Sequence, residues 1–374
     1  MNSATNSRGS LTLLSRLLFE NYKSQNPDPA TLDSCRPCCS AELAQAIASY
    51  QLQDFGELWG LAGSHHVIMR ALPRLRAILL AQQNDRADWI ESALQKEQTR
   101  IDQALSFLAP ICEALEQVGD VVVMKSLDHW PDLGSDLDLF TTAKSSDVVS
   151  VMRDQFQART DERSWGDRLA NKWNFVVPSL SELVEVHVGR LGQTGEQVAI
   201  TNSLVSRSRY EQFGSHLLRV PAPEDRMVIS TLQRMYRHFY LRLCDIADNA
   251  RLMDSGAVDY EYLKSLAGSA GLWDGLATYL VIVSQYVKSF SGSRLALPSL
   301  VTDAARFGNE RVSFRRRFLR IPIFPQAAKL YVREWERLLR NGELQNAFRL
   351  SLLPGLAAAA ALEFKLTGSD KGIW

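Results

Sequence analysis

The stretch Val121–Phe140, VVVMKSLDHWPDLGSDLDLF, decides the fold. It begins with an apolar run, continues through Lys125 and Ser126, and after a nine-residue gap reaches Asp136 and Asp138. Side chains alternate faces along a strand, so the two aspartates project from one face while the intervening leucine faces the core. Two carboxylates held this close repel each other unless a cation lies between them, and hard oxygen ligands suit Mg²⁺ or Mn²⁺. The pattern therefore predicts a divalent-cation site.

A third carboxylate follows downstream in the apolar segment Leu183–Val188, LVEVHV. Glu185 and His187 are two residues apart, so a strand here places both side chains on one face. If this strand lies beside the one that carries Asp136 and Asp138, three acids meet and can hold two metal ions.

These motifs resemble those of the nucleotidyltransferase superfamily, in which a glycine turn, an Asp-x-Asp strand and a later acid on a neighbouring strand recur. More narrowly, the chain resembles the poorly characterised bacterial nucleotidyltransferases with a Lys-Gly turn, an Asp-Leu-Asp strand and a Glu-x-His strand. The resemblance covers roughly residues 110 to 255 and includes a helical half with Pro223-Glu224-Asp225, His238 and Cys244-Asp245. The chain departs from the family at Ser126, which stands where glycine normally lets the backbone approach a triphosphate.

The resemblance implies a role for each acid. Asp136 and Asp138 would ligate both metal ions, and Glu185 would complete the site of the metal on the nucleophile side and accept a proton. These three residues are the expected catalytic and metal-binding groups, with Mg²⁺ or Mn²⁺ as the cofactor.

The resemblance also implies contacts with the nucleotide and the acceptor. Lys125 would meet the triphosphate as a point charge. Ser126 and Ser135 would bind the same nucleotide. His187 would orient the acceptor or support a metal ligand.

The activity that follows is metal-dependent transfer of a nucleoside monophosphate from an NTP. The sequence does not reveal the acceptor, for which a small molecule, a protein side chain and a tRNA end are all chemically suitable. One alternative is a toxin-like enzyme that modifies tRNA. Another is a catalytically silent module of the same fold that binds a nucleotide or a partner, which the missing turn glycine favours.

A cluster of positive charge occurs at Arg306–Arg320, where six arginines are interleaved with three phenylalanines. Such a segment can follow a nucleic-acid backbone or a membrane surface. The preferred interpretation is the solvated face of a helix. Contact with nucleic acid through this segment therefore remains an open prediction.

Hydrophobic periodicity predicts the fold class. The helical period holds through 11–118 and again from Pro223 onward, whereas period-two or continuously apolar runs occur between them. Strands are predicted at 121–124, 137–141, 175–177, 183–188 and 217–220, with a helix near 146–156. The fold class is therefore α+β: a small mixed nucleotidyltransferase-like sheet flanked by helical regions. The predicted divisions are an N-terminal helical region at 1–110, an α/β core at 111–222 and a C-terminal helical region at 223–374.

Composition limits the partners. The chain has 374 residues, with 42 basic and 42 acidic side chains, so no bulk charge attracts nucleic acid or anionic lipid. The polar start lacks the apolar core of a secretory signal and no segment suits a bilayer span, which predicts a cytoplasmic protein.

Two further groups of possible metal ligands occur in the sequence. Cys35, Cys38 and Cys39 include the spacing of a zinc knuckle, but no second cysteine pair follows, and His65-His66 is the nearest cluster of soft ligands. Asp245 and Asp248 are interpreted as capping groups or as partners of arginines such as Arg237 and Arg242, rather than as a second metal site.

Overall fold

The computed structural model describes residues 2–20, 22, 40–292 and 294–359. Cys35, Cys38 and Cys39 lie outside the described residues, so their role is not tested. In the part of the chain that the structure describes, no helix is both long enough and apolar enough to cross a membrane.

Helices occupy the first third of the chain. The longest, α5, buries Ile90, Leu94, Ile101, Leu105 and Leu108, which recur at helical spacing along one face. It continues across the predicted boundary at residue 110, and the proposed division into three regions stays a prediction. The helices are α1 Asn2–Phe19, α2 Ala41–Ala48, α3 Leu52–Ser64, α4 Ile68–Ala81 and α5 Arg86–Glu116.

A five-stranded mixed sheet follows, in the order β1-β2-β5-β4-β3. Strands β2 and β5 are parallel and the other neighbours are antiparallel. The strands are β1 Val121–Met124, β2 Asp136–Thr141, β3 Arg159–Thr160, β4 Lys172–Val176 and β5 Leu183–Val188, with α6 Ser145–Phe156 and α7 Trp165–Ala170 between them. The predicted α+β class, with a small mixed sheet and flanking helices, is confirmed.

Strand β4 begins three residues before its predicted start at Phe175. Its early part carries Lys172 and Asn174, whose polar side chains hide the strand from a search for apolar residues. The predicted strand at 217–220 is also present, but it pairs with β6 in a separate two-stranded sheet. These elements are α8 Ala199–Ser206, β6 Arg209–Phe213 and β7 His216–Val220.

The remaining chain is mainly helical. Pro223 occupies the first turn of α9. Backbone N–H groups there have no acceptor within the helix, so proline, which lacks an N–H, loses no hydrogen bond at this position. The elements are α9 Pro223–Thr231, a π-helix Leu232–His238, β8 Tyr240–Leu241, α10 Leu243–Asp254, α11 Tyr260–Ser269, α12 Trp273–Ser291, α13 Ser299–Ala304, a 3₁₀ turn Asn309–Arg311, β9 Ser313–Arg315, β10 Phe318–Arg320, an irregular turn Ile323–Ala327, α14 Ala328–Arg340 and α15 Leu344–Ser351.

The interpretation of Arg306–Arg320 as a helix face is wrong. The preceding helix ends at Ala304, and the arginine segment folds into the hairpin β9–β10, which pairs with β8 in a three-stranded sheet. The alternation of apolar and polar side chains through 312–315 is the period of a strand, which a count of arginines and phenylalanines does not reveal. Arg316 and Arg317 form the turn with φ of 50° and 66°.

Two hydrophobic clusters cover the two faces of the main sheet. One includes Val123, Leu139 and Val186 with the second half of α5. The other includes Met124 and Phe140 and continues without interruption into both the N-terminal and the C-terminal helices. These helical regions share one core, which covers the face of the sheet from which Phe140 and, by strand alternation, Asp136 and Asp138 project.

Candidate functional site

A cleft of about 470 Å³ contains every residue that the sequence analysis placed in the site. The sheet and its first turn supply these side chains, and the segment from the π-helix through β10 supplies a second, mostly cationic set. The first set is Lys125, Ser126, Ser135, Asp136, Asp138, Glu185 and His187, and the second includes Arg234, Arg237, His238, Tyr240, Arg242 and Arg320.

The parallel pairing of β2 with β5 places Asp138 directly opposite Glu185. One possible ligand atom each from Asp138, Glu185 and His187 lies within 4.8 Å of the others. The Nε2 atom of His187 is 2.9 Å from Glu185 Oε1 and 3.8 Å from Asp138 Oδ1. Asp136 lines the same cleft but is not in this close group, and its carboxylate accepts a hydrogen bond from Ser135 at 3.2 Å.

Two lysines neutralise these acids. Lys125 Nζ lies 2.5 Å from Asp138 Oδ1 and 3.8 Å from Glu185 Oε1. Lys172 Nζ lies 3.0 Å from Glu185 Oε2 and 2.8 Å from Asp167 Oδ1. Each ammonium therefore contacts two carboxylates, and Glu185 is shared between both lysines.

The pKa values of Glu185 and Asp136 are shifted in opposite directions. Burial acts to raise the pKa of Glu185, but Lys172, the hydrogen bond with His187 and Lys125 together hold it well below its usual range. Burial, reinforced by repulsion from Asp138 and Glu185, raises the pKa of Asp136 to about 6. Glu185 is thus ionised throughout the physiological pH range, whereas ionising Asp136 lowers the free energy of unfolding.

The turn after β1 is held tightly to β2. Lys125 has φ of 52°, a left-handed conformation that is uncommon for a residue with a side chain, and Ser126 N donates back to Met124 O. The buried hydroxyl of Ser126 donates to Asp136 O and accepts from Asp138 N, both at 2.8 Å. Serine at this position therefore ties the turn to the strand that carries the acids.

The second set of cleft residues, from Arg234 to Arg242 together with Arg320, forms a cationic wall that was not predicted from the sequence. The ring of Tyr240 lies 5.3 Å from the guanidinium of Arg234, 5.8 Å from that of Arg242 and 5.0 Å from that of Arg320. Such contacts favour stacked, partly desolvated cations. The aromatic and basic residues in 234–242 could have suggested this arrangement, but the contribution of Arg320 depends on the distant hairpin.

Arg237 of the cationic wall is held in place by two buried glutamates. It is buried, it pairs with Glu196, and its Nη2 lies 2.8 Å from Glu334 Oε1. Gln197 donates to the same Glu334 oxygen at 2.7 Å. The sequence interpretation paired Arg237 with Asp245 or Asp248, but the buried glutamates take that role.

The donor set fits a divalent cation. Two carboxylates and an imidazole within one coordination shell suit Mn²⁺ and, through the oxygens, Mg²⁺. For a cation to reach both carboxylates, the ammonium of Lys125 must move away from Asp138. Neither a family model, nor a curated protein, nor a solved structure matches the chain.

Proposed function

We propose that the protein is a metal-dependent nucleotidyltransferase of the cytoplasm that transfers a nucleoside monophosphate from an NTP to a hydroxyl or phosphate acceptor. The observation that carries this proposal is the register of β2 with β5, which brings Asp138 and Glu185 together beside Asp136 in a cleft whose other wall is cationic. Acids on adjacent strands supply metal ligands, and the cationic wall supplies counter-charges for phosphates.

Asp138, Glu185 and His187 would hold one Mg²⁺ or Mn²⁺ ion, and Asp136 with Asp138 would hold a second. Bound cations would neutralise charge on the α-phosphate and leaving pyrophosphate and lower the pKa of the attacking hydroxyl.

The protein's own cations would act on the nucleotide. Lys125, once it leaves Asp138, reaches into the cleft with a mobile ammonium suited to a phosphate oxygen. Arg242 and Arg320 stack at Tyr240 and present planar guanidinium groups, which bind phosphate through paired hydrogen bonds. On the acceptor side, Glu185 would accept the hydroxyl proton, and His187, whose Nε2 lies 2.9 Å from Glu185 Oε1, would hold that carboxylate in place.

The test is a transfer assay with labelled NTPs, Mg²⁺ or Mn²⁺, and acceptors that include total tRNA, small alcohols and the protein itself. Asp138→Asn and Glu185→Gln should each lower transfer by orders of magnitude, on the scale of about 10²-fold or more for lost charge stabilisation. Asp154→Asn is a matched control, because this aspartate lies on the surface of α6 beside Arg153. Transfer that survives both site substitutions at the wild-type rate would refute the proposal.

A second candidate, the catalytically silent nucleotide-binding module, is favoured by one specific observation. Lys125 and Lys172 already neutralise Asp138 and Glu185, which is a stable arrangement without a metal ion. Calorimetric titration with an NTP separates the candidates. The silent module binds NTP equally with Mg²⁺ or with EDTA and gives no transfer, whereas the enzyme requires the metal for both.

A further inference from the structure

We propose that His129, Cys244 and Asp245 form a second metal site, selective for zinc, where the turn after β1 meets the start of α10. One possible ligand atom from each of the three lies within 4.8 Å of the others. The separations are 3.8 Å from His129 Nε2 to Cys244 Sγ and 3.9 Å from that sulfur to Asp245 Oδ1. Ligands about 2.0 to 2.3 Å from a tetrahedral metal stand about 3.5 Å apart, and the two separations that involve the sulfur are close to this value.

The orientation of His129 supports a ligand role. Its Nδ1 lies 2.5 Å from Asp248 Oδ2, so the N–H on that side donates to a carboxylate and the Nε2 atom points toward Cys244. Asp248 is fixed in turn by Arg70 Nη1 at 2.6 Å, and Arg70 also pairs with Asp132. A histidine with its second nitrogen on a carboxylate is the usual support of a zinc ligand.

Asp245 divides its two oxygens between different tasks. Oδ2 accepts from the backbone N–H of Arg242 at 2.7 Å, as the capping interpretation predicted, and it lies 2.8 Å from Arg234 Nε. Oδ1 faces the thiol of Cys244. One oxygen therefore stabilises the helix start while the other remains directed at the metal position.

A fourth ligand can be water. A cavity of about 20 Å³ adjoins two of the three ligands, His129 and Asp245, although Cys244 does not line it, and a space of this size holds about one water molecule. His129 also lines the main cleft, so this ligand lies between the cleft and the small cavity. Three protein ligands with one water resemble a zinc site that keeps an open position.

The donor chemistry separates this site from the acids of the sheet. A thiolate and an imidazole favour zinc over magnesium, whereas the carboxylates of Asp138 and Glu185 favour hard cations. The ligands come from two distant segments, so a bound ion would join the turn after β1 to the helical half. Zinc should therefore raise the thermal stability of the full chain.

The sharpest test uses the protein with Cys35, Cys38 and Cys39 replaced by serine, because Cys112 and Cys244 are then its remaining thiols. This variant, treated with chelator and titrated with Co²⁺, should give a thiolate-to-cobalt charge-transfer band, which reports the cysteine site and not the acids of the sheet. Zinc should displace the cobalt and raise the melting temperature. This variant keeps all three proposed ligands. If circular dichroism shows that it is folded and no band appears, the proposal is refuted.

Substitutions then assign the band. In the same background, Cys244→Ser should abolish it, whereas Cys112→Ser, the matched buried cysteine on α5, should keep it. Asp248→Asn should weaken zinc affinity by about tenfold or more, the usual effect of losing such a supporting carboxylate. Asp138→Asn should leave the charge-transfer band unchanged, because the acids of the sheet contain no thiolate, so the outcome is independent of the transferase proposal. A band that survives Cys244→Ser or disappears in Cys112→Ser would refute the assignment.

Discussion

Replacing Asp136 with asparagine should stabilise the metal-free protein. Burial and the nearby carboxylates raise the pKa of Asp136 from 3.8 to about 6, so ionising this group is less favourable in the folded than in the unfolded chain. A pKa raised from 3.8 to about 6 corresponds to at most about 3 kcal/mol of folding free energy once the group is fully ionised. Asparagine keeps the shape without the charge, and we expect a gain of about 1–3 kcal/mol at pH 7.5.

The sign of the pH dependence follows from proton linkage. Because the folded pKa of Asp136 is raised, the folded state binds the proton more tightly, and the stability that protonation provides is lost as pH rises from about 4 to about 6. The advantage of Asp136→Asn should therefore shrink below about 1 kcal/mol near pH 4 and reach its plateau above pH 7.

Calorimetric melts of both proteins in EDTA, at several pH values between 4 and 8, measure this difference. Asp154→Asn serves as the surface control and should show no comparable gain. An Asp136→Asn protein that melts below wild type at pH 7.5, or a gain that does not change with pH, would refute the reasoning.

Three further changes test other parts of the structure. Ser126→Ala removes two buried hydrogen bonds to β2 and should lower the free energy of unfolding by about 1–3 kcal/mol, measured by urea denaturation. An unchanged denaturation midpoint would show that Ser126 does not hold the turn to β2. Arg237→Met leaves Glu196 and Glu334 buried without their cation and should cost about 3–5 kcal/mol, an effect that Glu334→Gln in the same chain should partly relieve in thermal melts. If tRNA is the acceptor, replacing the exposed arginines at 315–317 with glutamine should weaken tRNA binding. Filter binding at several salt concentrations should show a shallower salt dependence, by an amount that corresponds to the loss of up to about three phosphate contacts. An unchanged salt slope would exclude the hairpin from the RNA-binding surface.

Local patterns predicted the part of the site that lies on the sheet. The apolar run of β1 and the alternation around Asp136 and Asp138 locate both strands, because a strand's period is visible within a few residues. The Glu-x-His spacing likewise placed Glu185 and His187 on one face of β5. That β5 lies beside β2 was implied by the family resemblance rather than by any local signal, and their register is known only from the structure.

The rest of the site depends on pairing between distant segments. Lys172 reaches Glu185 only because β4 lies beside β5, and Arg320 reaches Tyr240 only because the hairpin pairs with β8. No spacing within either segment encodes such a partner. The buried contact of Arg237 with Glu334 joins the π-helix to α14, so sequence reasoning assigned that arginine to the nearer aspartates instead.

The ammonium of Lys125 acts as a built-in counter-ion for the acids. It lies in a strained, left-handed turn and occupies the space between Asp138 and Glu185 that a cation must enter. If the protein acts as proposed, metal entry and lysine release would be one exchange, and a triphosphate would offer the released ammonium another anion. Metal and nucleotide should bind with positive coupling, so that each raises the affinity of the other by the same factor. Under this scheme a free metal ion competes poorly with the lysine, and the site fills when the cation arrives already bound to an NTP.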